Sequence, residues 1–165
     1  MKSKLLTLLA ISAISALTVA ARAESSITLT GVHNCCKKCD NGIIDAVTKA
    51  GGTAKTDKST VTITAKDEAT AEKAAASLLA AGYAGKESKV PAVTDAKVKS
   101  ATVSGVHLCC GKCVTGVTDA LSKVKGVKGN TAAKGADSFE VTGDFKPKAV
   151  FAALNKAGYS GKASK

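Results

Sequence analysis

The sequence is poor in aromatic residues and in arginine. Its 165 residues include two tyrosines, three phenylalanines and no tryptophan, so aromatics make up only 3% of the chain. Any hydrophobic core must therefore be small and aliphatic, and alanine supplies much of the 45% hydrophobic content. The same shortage argues against nucleic acid as a partner, because no aromatic side chains accompany the scattered lysines for base stacking. The excess of lysine instead indicates a well-solvated surface.

Residues 1–23 have the features of a secretory signal peptide. Lys2 and Lys4 give a positive start, residues 5–21 are uncharged and mostly apolar, and a small-x-small pattern ends at Ala23. A retained membrane anchor is the alternative, but the run is short and rich in serine, threonine and alanine. We expect export with cleavage after Ala23, which removes three positive charges and lowers the formal charge from +11 to +8. The protein would be periplasmic if its source has an outer membrane and secreted otherwise, with no stable membrane anchor.

Cysteine and histidine occur nowhere outside two copies of one short motif. Residues 31–39 read GVHNCCKKC and residues 105–113 read GVHLCCGKC, and together they hold all six cysteines and both histidines. The residues that recur identically 74 positions later, as residue 31 does at 105, are Gly31, Val32, His33, Cys35, Cys36, Lys38, Cys39, Gly42, Asp45, Ala46 and Lys49. A repeat of this length is too long for a solenoid unit and predicts a duplicated small domain.

Hydrophobic periodicity predicts the order β-α-β-β-α-β in each copy. The elements expected in the first copy are strands near 26–30, 53–56 and 60–64, helices over about 36–50 and 67–81, and a short last strand from Tyr83. Asp67 can cap the second helix, and Pro147 suits the start of the last helix of the second copy. The predicted organisation is a first domain at 24–88, a linker at 89–99 and a second domain at 100–165.

The cysteine spacing predicts a thiolate metal site in each copy. Cys36 and Cys39 are three residues apart at a strand-to-helix junction, so both sulfurs can face one ion. Helix N–H groups and the neighbouring lysines favour thiolate over thiol. Cys35 and His33 precede this pair within plausible reach. Soft thiolate ligands suit Cu(I), Zn(II), Cd(II) or Hg(II) better than Mg²⁺ or Ca²⁺.

Each copy resembles the heavy-metal-associated domain of copper chaperones, metal-transporting ATPases and the periplasmic mercury-binding protein. That family places Gly-Met-x-Cys-x-x-Cys after the first strand, and residues 31–39 and 105–113 look like this motif. The resemblance implies a ferredoxin-like βαββαβ fold, hence an α+β protein of two tandem domains, and a metal-binding function. Valine replaces the family methionine, and one inserted residue brings an extra cysteine and a histidine. These added donors could complete a tetrahedral Cys₃His set of the kind that binds zinc.

Two other readings of the cysteines stay open. Export permits a disulfide framework, although three cysteines per copy would leave one unpaired in each unless the domains cross-link. The Cys-x-x-Cys pairs could instead serve a thiol-disulfide oxidoreductase. Against that enzyme, Pro91 and Pro147 are the only prolines and neither provides a cis-proline active-site context. No Ser/His/Asp set or acidic pair indicates hydrolysis, and we expect the protein not to be an enzyme.

We therefore predict an exported protein that sequesters or delivers a soft metal ion, with one thiolate site per domain. The candidate primary ligands are Cys36, Cys39, Cys110 and Cys113, with Cys35 and Cys109 as auxiliary ligands. His33 and His107 are either ligands, donors behind the ligands or loop residues. Cu(I) and Zn(II) are the expected ions, with Hg(II) and Cd(II) as alternatives. The lysines of the motif could attract an acidic metal-donor or acceptor protein.

Overall fold

The computed structural model describes residues 23–164, and the predicted signal peptide lies outside this range except for Ala23. The described chain forms two α+β units, each with a sheet and two helices. No helix within these residues is both long and apolar enough to cross a bilayer.

The first unit is built on a three-stranded antiparallel sheet. Its elements are β1 (Ser25–Leu29), α1 (Lys37–Lys49), β2 (Thr53–Asp57), β3 (Thr60–Ala65) and α2 (Glu68–Ala80). The strands lie in the order β1-β3-β2. Val61 and Ile63 of β3 alternate with half-exposed threonines and are fully buried, as the period-2 pattern predicts. They share a small aliphatic core with Ile43, Val47 and Leu78 of the two helices.

The second unit has the complete ferredoxin-like arrangement. Its elements are β4 (Val98–Ser104), α3 (Gly111–Ser122), β5 (Val127–Asn130), β6 (Ser138–Phe145), α4 (Pro147–Lys156) and β7 (Lys162–Ser164). The strand order is β5-β6-β4-β7 and every pairing is antiparallel. This is the βαββαβ order with the first and third strands at the centre. The predicted α+β class is therefore confirmed.

Local signals account for the helix boundaries. The side chain of Asp67 accepts a hydrogen bond from the backbone N–H of Thr70 at 2.8 Å, so Asp67 caps α2 as predicted. Pro147 lies at the first position of α4, where its missing N–H costs no helical hydrogen bond. Gly51, with φ of 90°, follows the end of α1 in a left-handed conformation that favours glycine.

Two details differ from the sequence prediction. Tyr83 does not begin a strand of the first unit; instead it forms an isolated antiparallel bridge with Tyr159 of the second unit. The N–H of Lys86 donates to the carbonyl of Thr30 at 2.8 Å, at the place where a fourth strand would pair with β1. In addition, β4 begins at Val98, inside the residues expected to form the linker.

The two units meet through equivalent segments. The N–H of Ala84 donates to the carbonyl of Gly158 at 3.1 Å, and the N–H of Ser160 donates to the carbonyl of Gly82 at 3.0 Å. Both glycines have a positive φ, 91° at Gly82 and 89° at Gly158. A Cβ at either position would collide with the backbone of the motif loop in the opposite unit. Glycine at these two points therefore lets the end of α2 and the end of α4 each touch the other unit's motif.

Candidate metal centre

The cysteines lie at the N-termini of α1 and α3. Cys36 and Cys110 are the N-cap residues, both with extended backbone, and neither makes a side-chain capping hydrogen bond. Cys39 and Cys113 lie on the first helical turns and are fully buried. Cys35 precedes the first N-cap, as Cys109 does the second, and both are half-buried. Each motif thus presents three thiols at one helix end, as the spacing predicts.

All six thiols converge in one cluster between the units. Within the motifs, the Sγ of Cys39 lies 3.7 Å from those of Cys35 and Cys36. The sulfurs of the second motif repeat this arrangement at 3.6 and 3.7 Å. The contacts between motifs are Cys35–Cys110 at 3.7 Å, Cys35–Cys113 at 3.9 Å, Cys36–Cys109 at 3.8 Å, Cys39–Cys109 at 3.6 Å and Cys39–Cys113 at 3.9 Å.

The sequence predicts one thiolate site in each domain, and the structure places the two motifs in contact. Every sulfur has a sulfur of the other motif within 3.9 Å. The reason is the docking of the two units through Gly82 and Gly158, which brings the helix N-termini of α1 and α3 together. All six cysteines are free thiols, and their separations are far beyond the ~2.05 Å of a disulfide bond.

Four triplets of thiols are placed to hold an ion. They are Cys35, Cys39 and Cys113; Cys35, Cys36 and Cys110; Cys36, Cys39 and Cys109; and Cys109, Cys110 and Cys113. Within each triplet the sulfurs lie within 4.8 Å of one another. The cysteines predicted as auxiliary, Cys35 and Cys109, take part as often as the predicted primary ligands.

The two histidines have different surroundings. A ring nitrogen of His33 lies within 4.8 Å of the sulfurs of Cys35, Cys39 and Cys113, which gives a Cys₃His set. This set differs from the predicted one because its third thiol comes from the second motif. His107 joins none of the four groups, and its buried Nε2 has no hydrogen-bond partner among the described residues.

Tyr83 and Tyr159 both support the candidate metal centre, a role that the sequence analysis did not identify. The hydroxyl of Tyr83 donates to the carbonyl of Cys39 at 3.1 Å, and that of Tyr159 donates to the carbonyl of Cys113 at 3.2 Å. Each ring also stacks on the histidine of the opposite motif.

The tyrosine hydroxyls fit because glycine occupies the facing helix position. A Cβ on Gly42 would lie 2.5 Å from the hydroxyl of Tyr83, and a Cβ on Gly116 would meet the hydroxyl of Tyr159 even more closely. The signal in the sequence was the recurrence of this glycine three residues after the last cysteine of each motif. It gains meaning only once the tyrosine from the end of the next helix is in place.

The local environment divides the thiols into two kinds. The backbone N–H groups at the start of α3, that of Cys113 foremost, lower the pKa of Cys110 to about 6. The matching N–H groups at the start of α1, that of Cys39 foremost, lower the pKa of Cys36. Burial raises the pKa of Cys35 and Cys109 well above the usual range. The helix N-termini thus favour thiolate at the two caps.

Burial also keeps the histidines in the form that binds metal. It lowers the pKa of His33, helped by the nearby His107, and it lowers the pKa of His107 as well. Both rings are therefore neutral at pH 7, and only a neutral imidazole has a lone pair to offer an ion. Together with the thiolates at the caps, the site is chemically suited to soft and borderline cations.

No protein-family model matches the sequence, and no curated protein matches it. Two solved structures are similar to it. The crystal structure of oxidized MerP from Ralstonia metallidurans CH34 is 26% identical, over 41% of this chain and 97% of MerP, with a TM-score of 0.38. The solution structure of the N-terminal soluble domains of Bacillus subtilis CopA is 16% identical, over 87% of this chain and 95% of the CopA chain, with a TM-score of 0.32. The fold assignment rests on the strand order given above.

Proposed function

We propose that this protein binds soft metal ions through its clustered thiols and either sequesters them or hands them to a partner. The observation that carries the proposal is the convergence of all six cysteines, with neighbouring sulfurs 3.6–3.9 Å apart. Cysteines that serve only as small hydrophobic residues in a core do not have to lie next to one another. A metal–sulfur bond of ~2.3 Å places the sulfurs of a tetrahedral ion about 3.8 Å apart, which agrees with these separations.

The resemblance of each motif to heavy-metal-associated domains supports the same function. Within that family resemblance, Cu(I) and Zn(II) are the expected cargo ions, and Hg(II) and Cd(II) are alternatives. The Cys₃His set around His33 would accept a four-coordinate ion such as Zn(II). Each of the sets that contain three thiols and no histidine would bind an ion that takes three sulfur ligands.

Export is the second part of the proposal. The features of residues 1–23 support a protein that is periplasmic in a source with an outer membrane and secreted elsewhere. Exposed Lys37, Lys38 and Lys112 lie beside the thiols on the helix starts. A donor or acceptor protein with an acidic docking face would be attracted to this rim and brought close to the cargo.

Thiol-disulfide exchange remains the competing function, and the low pKa of Cys110 favours it. An attacking thiolate needs access and a resolving thiol, and Cys110 has Cys113 at 3.6 Å. The exchange function nevertheless leaves Cys35, Cys109 and the histidines without a role. Metal binding uses the whole cluster.

The decisive experiment is native mass spectrometry of the reduced protein with Cu(I), Zn(II), Cd(II) and Hg(II) in competition. We expect at least one soft ion to be retained against a competing low-molecular-weight thiol. An insulin-reduction assay on the same sample should give no more turnover than free dithiol. Rapid insulin reduction together with loss of every ion to the competitor would reject metal binding in favour of exchange.

A further inference from the structure

We propose that the two motifs form one tetranuclear Cu(I)–thiolate cluster that bridges the units, in place of two independent sites. The inference rests on the proposed metal-binding function and specifies its ion, its stoichiometry and its geometry. Six thiols would hold four Cu(I) ions, one ion for each of the four triplets.

The sharing of thiols among the triplets is the first argument. Each cysteine belongs to two of the four triplets, and any two triplets have one cysteine in common. This is the connectivity of four alternate faces of an octahedron whose corners are the six sulfurs. Four ions on those faces would each have three sulfur ligands, and each sulfur would bridge two ions. Every one of the six thiols is thus a ligand, and each binds the same number of ions.

The separations between sulfurs are the second argument. An ion at the centre of three sulfurs, with bonds of ~2.3 Å, would hold them about 4.0 Å apart, whereas a linear two-sulfur ion would need about 4.6 Å. In the triplet of Cys36, Cys39 and Cys109 the three distances are 3.7, 3.8 and 3.6 Å. These distances are much closer to the spacing of a three-coordinate ion than to that of a linear one, and the number of thiols in each triplet sets the coordination at three. Cu(I) is a soft ion that accepts such thiolate sets.

The balance of charge and protons is consistent with this assignment. Four Cu(I) ions bind six thiolates, the protons that the cysteines still hold leave to solvent, and the oxidation state of copper and sulfur does not change. Four positive charges against six thiolates leave an excess of two negative charges. Cys36 and Cys110 are the N-cap residues of α1 and α3, and the positive ends of these two helices offset part of the excess.

The contact between the units gives the cluster its frame. Three of the four triplets combine thiols from both motifs, so three of the ions would need the two units to be docked. The reciprocal hydrogen bonds of Gly82 and Gly158 join the units through backbone atoms, and the stacked pairs Tyr159–His33 and Tyr83–His107 join them through side chains. Tyr83 and Tyr159 add hydrogen bonds to the carbonyls of Cys39 and Cys113 at the centre of the cluster. Copper loading would in turn lock the units together, because it stabilises only the docked form.

The test is an anaerobic Cu(I) titration of the reduced full chain, followed by native mass spectrometry and X-ray absorption. We expect the metal-free protein to convert to a four-copper form with little one- or two-copper species between them. The absorption spectrum should show three-sulfur coordination and a copper–copper scattering contribution. Two copper ions per chain, bound one after the other without copper–copper scattering, would overturn the cluster and keep the proposed function. Failure to retain any soft ion would overturn both.

Cys36→Ser separates the two models without threatening the fold, because serine is a favoured N-cap residue. A shared cluster loses a ligand at two of its four positions, so cooperative four-copper loading should disappear in the whole chain. Independent sites would instead leave the second motif with its one ion at unchanged affinity, and that result contradicts the proposal. Cys110→Ser should reproduce the defect from the other motif. Thr115→Ala, at an exposed position of α3, is the matched control and should load four ions.

Discussion

Tyr159 lies across the ring of His33, 126 residues earlier in the chain, with the ring centroids 4.3 Å apart. Its hydroxyl lies 2.9 Å from Nε2 of His33 and also donates to the carbonyl of Cys113 at 3.2 Å. When that proton is used by the carbonyl, Nε2–H of His33 donates to the hydroxyl oxygen and Nδ1 keeps the free lone pair. One tyrosine of the second unit thus fixes the histidine of the first motif.

Replacing Tyr159 by phenylalanine should therefore destabilise the protein more than replacing Tyr83. Tyr159→Phe removes the contacts to His33 and Cys113, whereas Tyr83→Phe removes the bond to Cys39 alone. At ~1 kcal/mol for each hydrogen bond, we expect losses of about 2 and about 1 kcal/mol. Urea unfolding of the metal-free reduced protein measures both. Equal losses would show that the hydroxyl of Tyr159 does not hold His33.

The repeat and the periodicity were sufficient to predict most elements of the fold. Cys36 as the start of α1, Asp67 as the cap of α2 and Pro147 at the start of α4 are local features, which the sequence expresses directly. The motif also identified every thiol of the cluster, because all six cysteines lie within its two copies. The spacing of three residues placed Cys36 with Cys39, and Cys110 with Cys113, on one face of a helix.

The docking of the two units could not be predicted in the same way. A linker of about eleven residues can reach ~35 Å, so the sequence permits both separated and joined motifs. The units can dock only because Gly82 and Gly158 have no Cβ. Glycine is common at the end of a helix for purely local reasons, so its presence does not indicate a docking contact. The Cys₃His set across the motifs follows from this docking, and for that reason the sequence could suggest only a set within one motif.

Gly116 should be intolerant of alanine although it lies inside a helix. A Cβ there would collide with the hydroxyl of Tyr159, and overpacking of this kind costs about 1–3 kcal/mol. The gain in helix propensity, ~1 kcal/mol at most, does not offset it. Gly111→Ala in the same helix is the control, since its Cβ would have no neighbour within 4 Å. We expect thermal unfolding to show a clear loss for Gly116→Ala and little change for Gly111→Ala.

Asp67→Ala should destabilise the first unit through the loss of a helix cap. The carboxylate accepts from the N–H of Thr70 at 2.8 Å and from its hydroxyl at 2.6 Å. Loss of such a cap costs about 1 kcal/mol. Asp67→Asn keeps an acceptor at the cap and should recover most of the stability. If alanine and asparagine unfold at the same urea concentration, the cap contributes nothing measurable.

The thiols should differ in reactivity in the reduced, metal-free protein. Cys110, with a pKa near 6, is thiolate at pH 7, whereas the raised pKa values of Cys35 and Cys109 keep those two thiols protonated. Because only the thiolate attacks iodoacetamide, brief labelling at pH 7 followed by peptide mass spectrometry should find Cys110 modified well before Cys109.

The pH dependence of labelling follows from the direction of each pKa shift. Labelling of Cys110 should rise as the pH increases through about 6 and then level off, because the thiol loses its proton at that pH. Labelling of Cys109 should still be increasing above pH 9, since burial disfavours its charged form. Metal loading should protect both. A common midpoint near the ordinary thiol pKa of ~8.5 would mean that the helix N-terminus does not lower the pKa of Cys110.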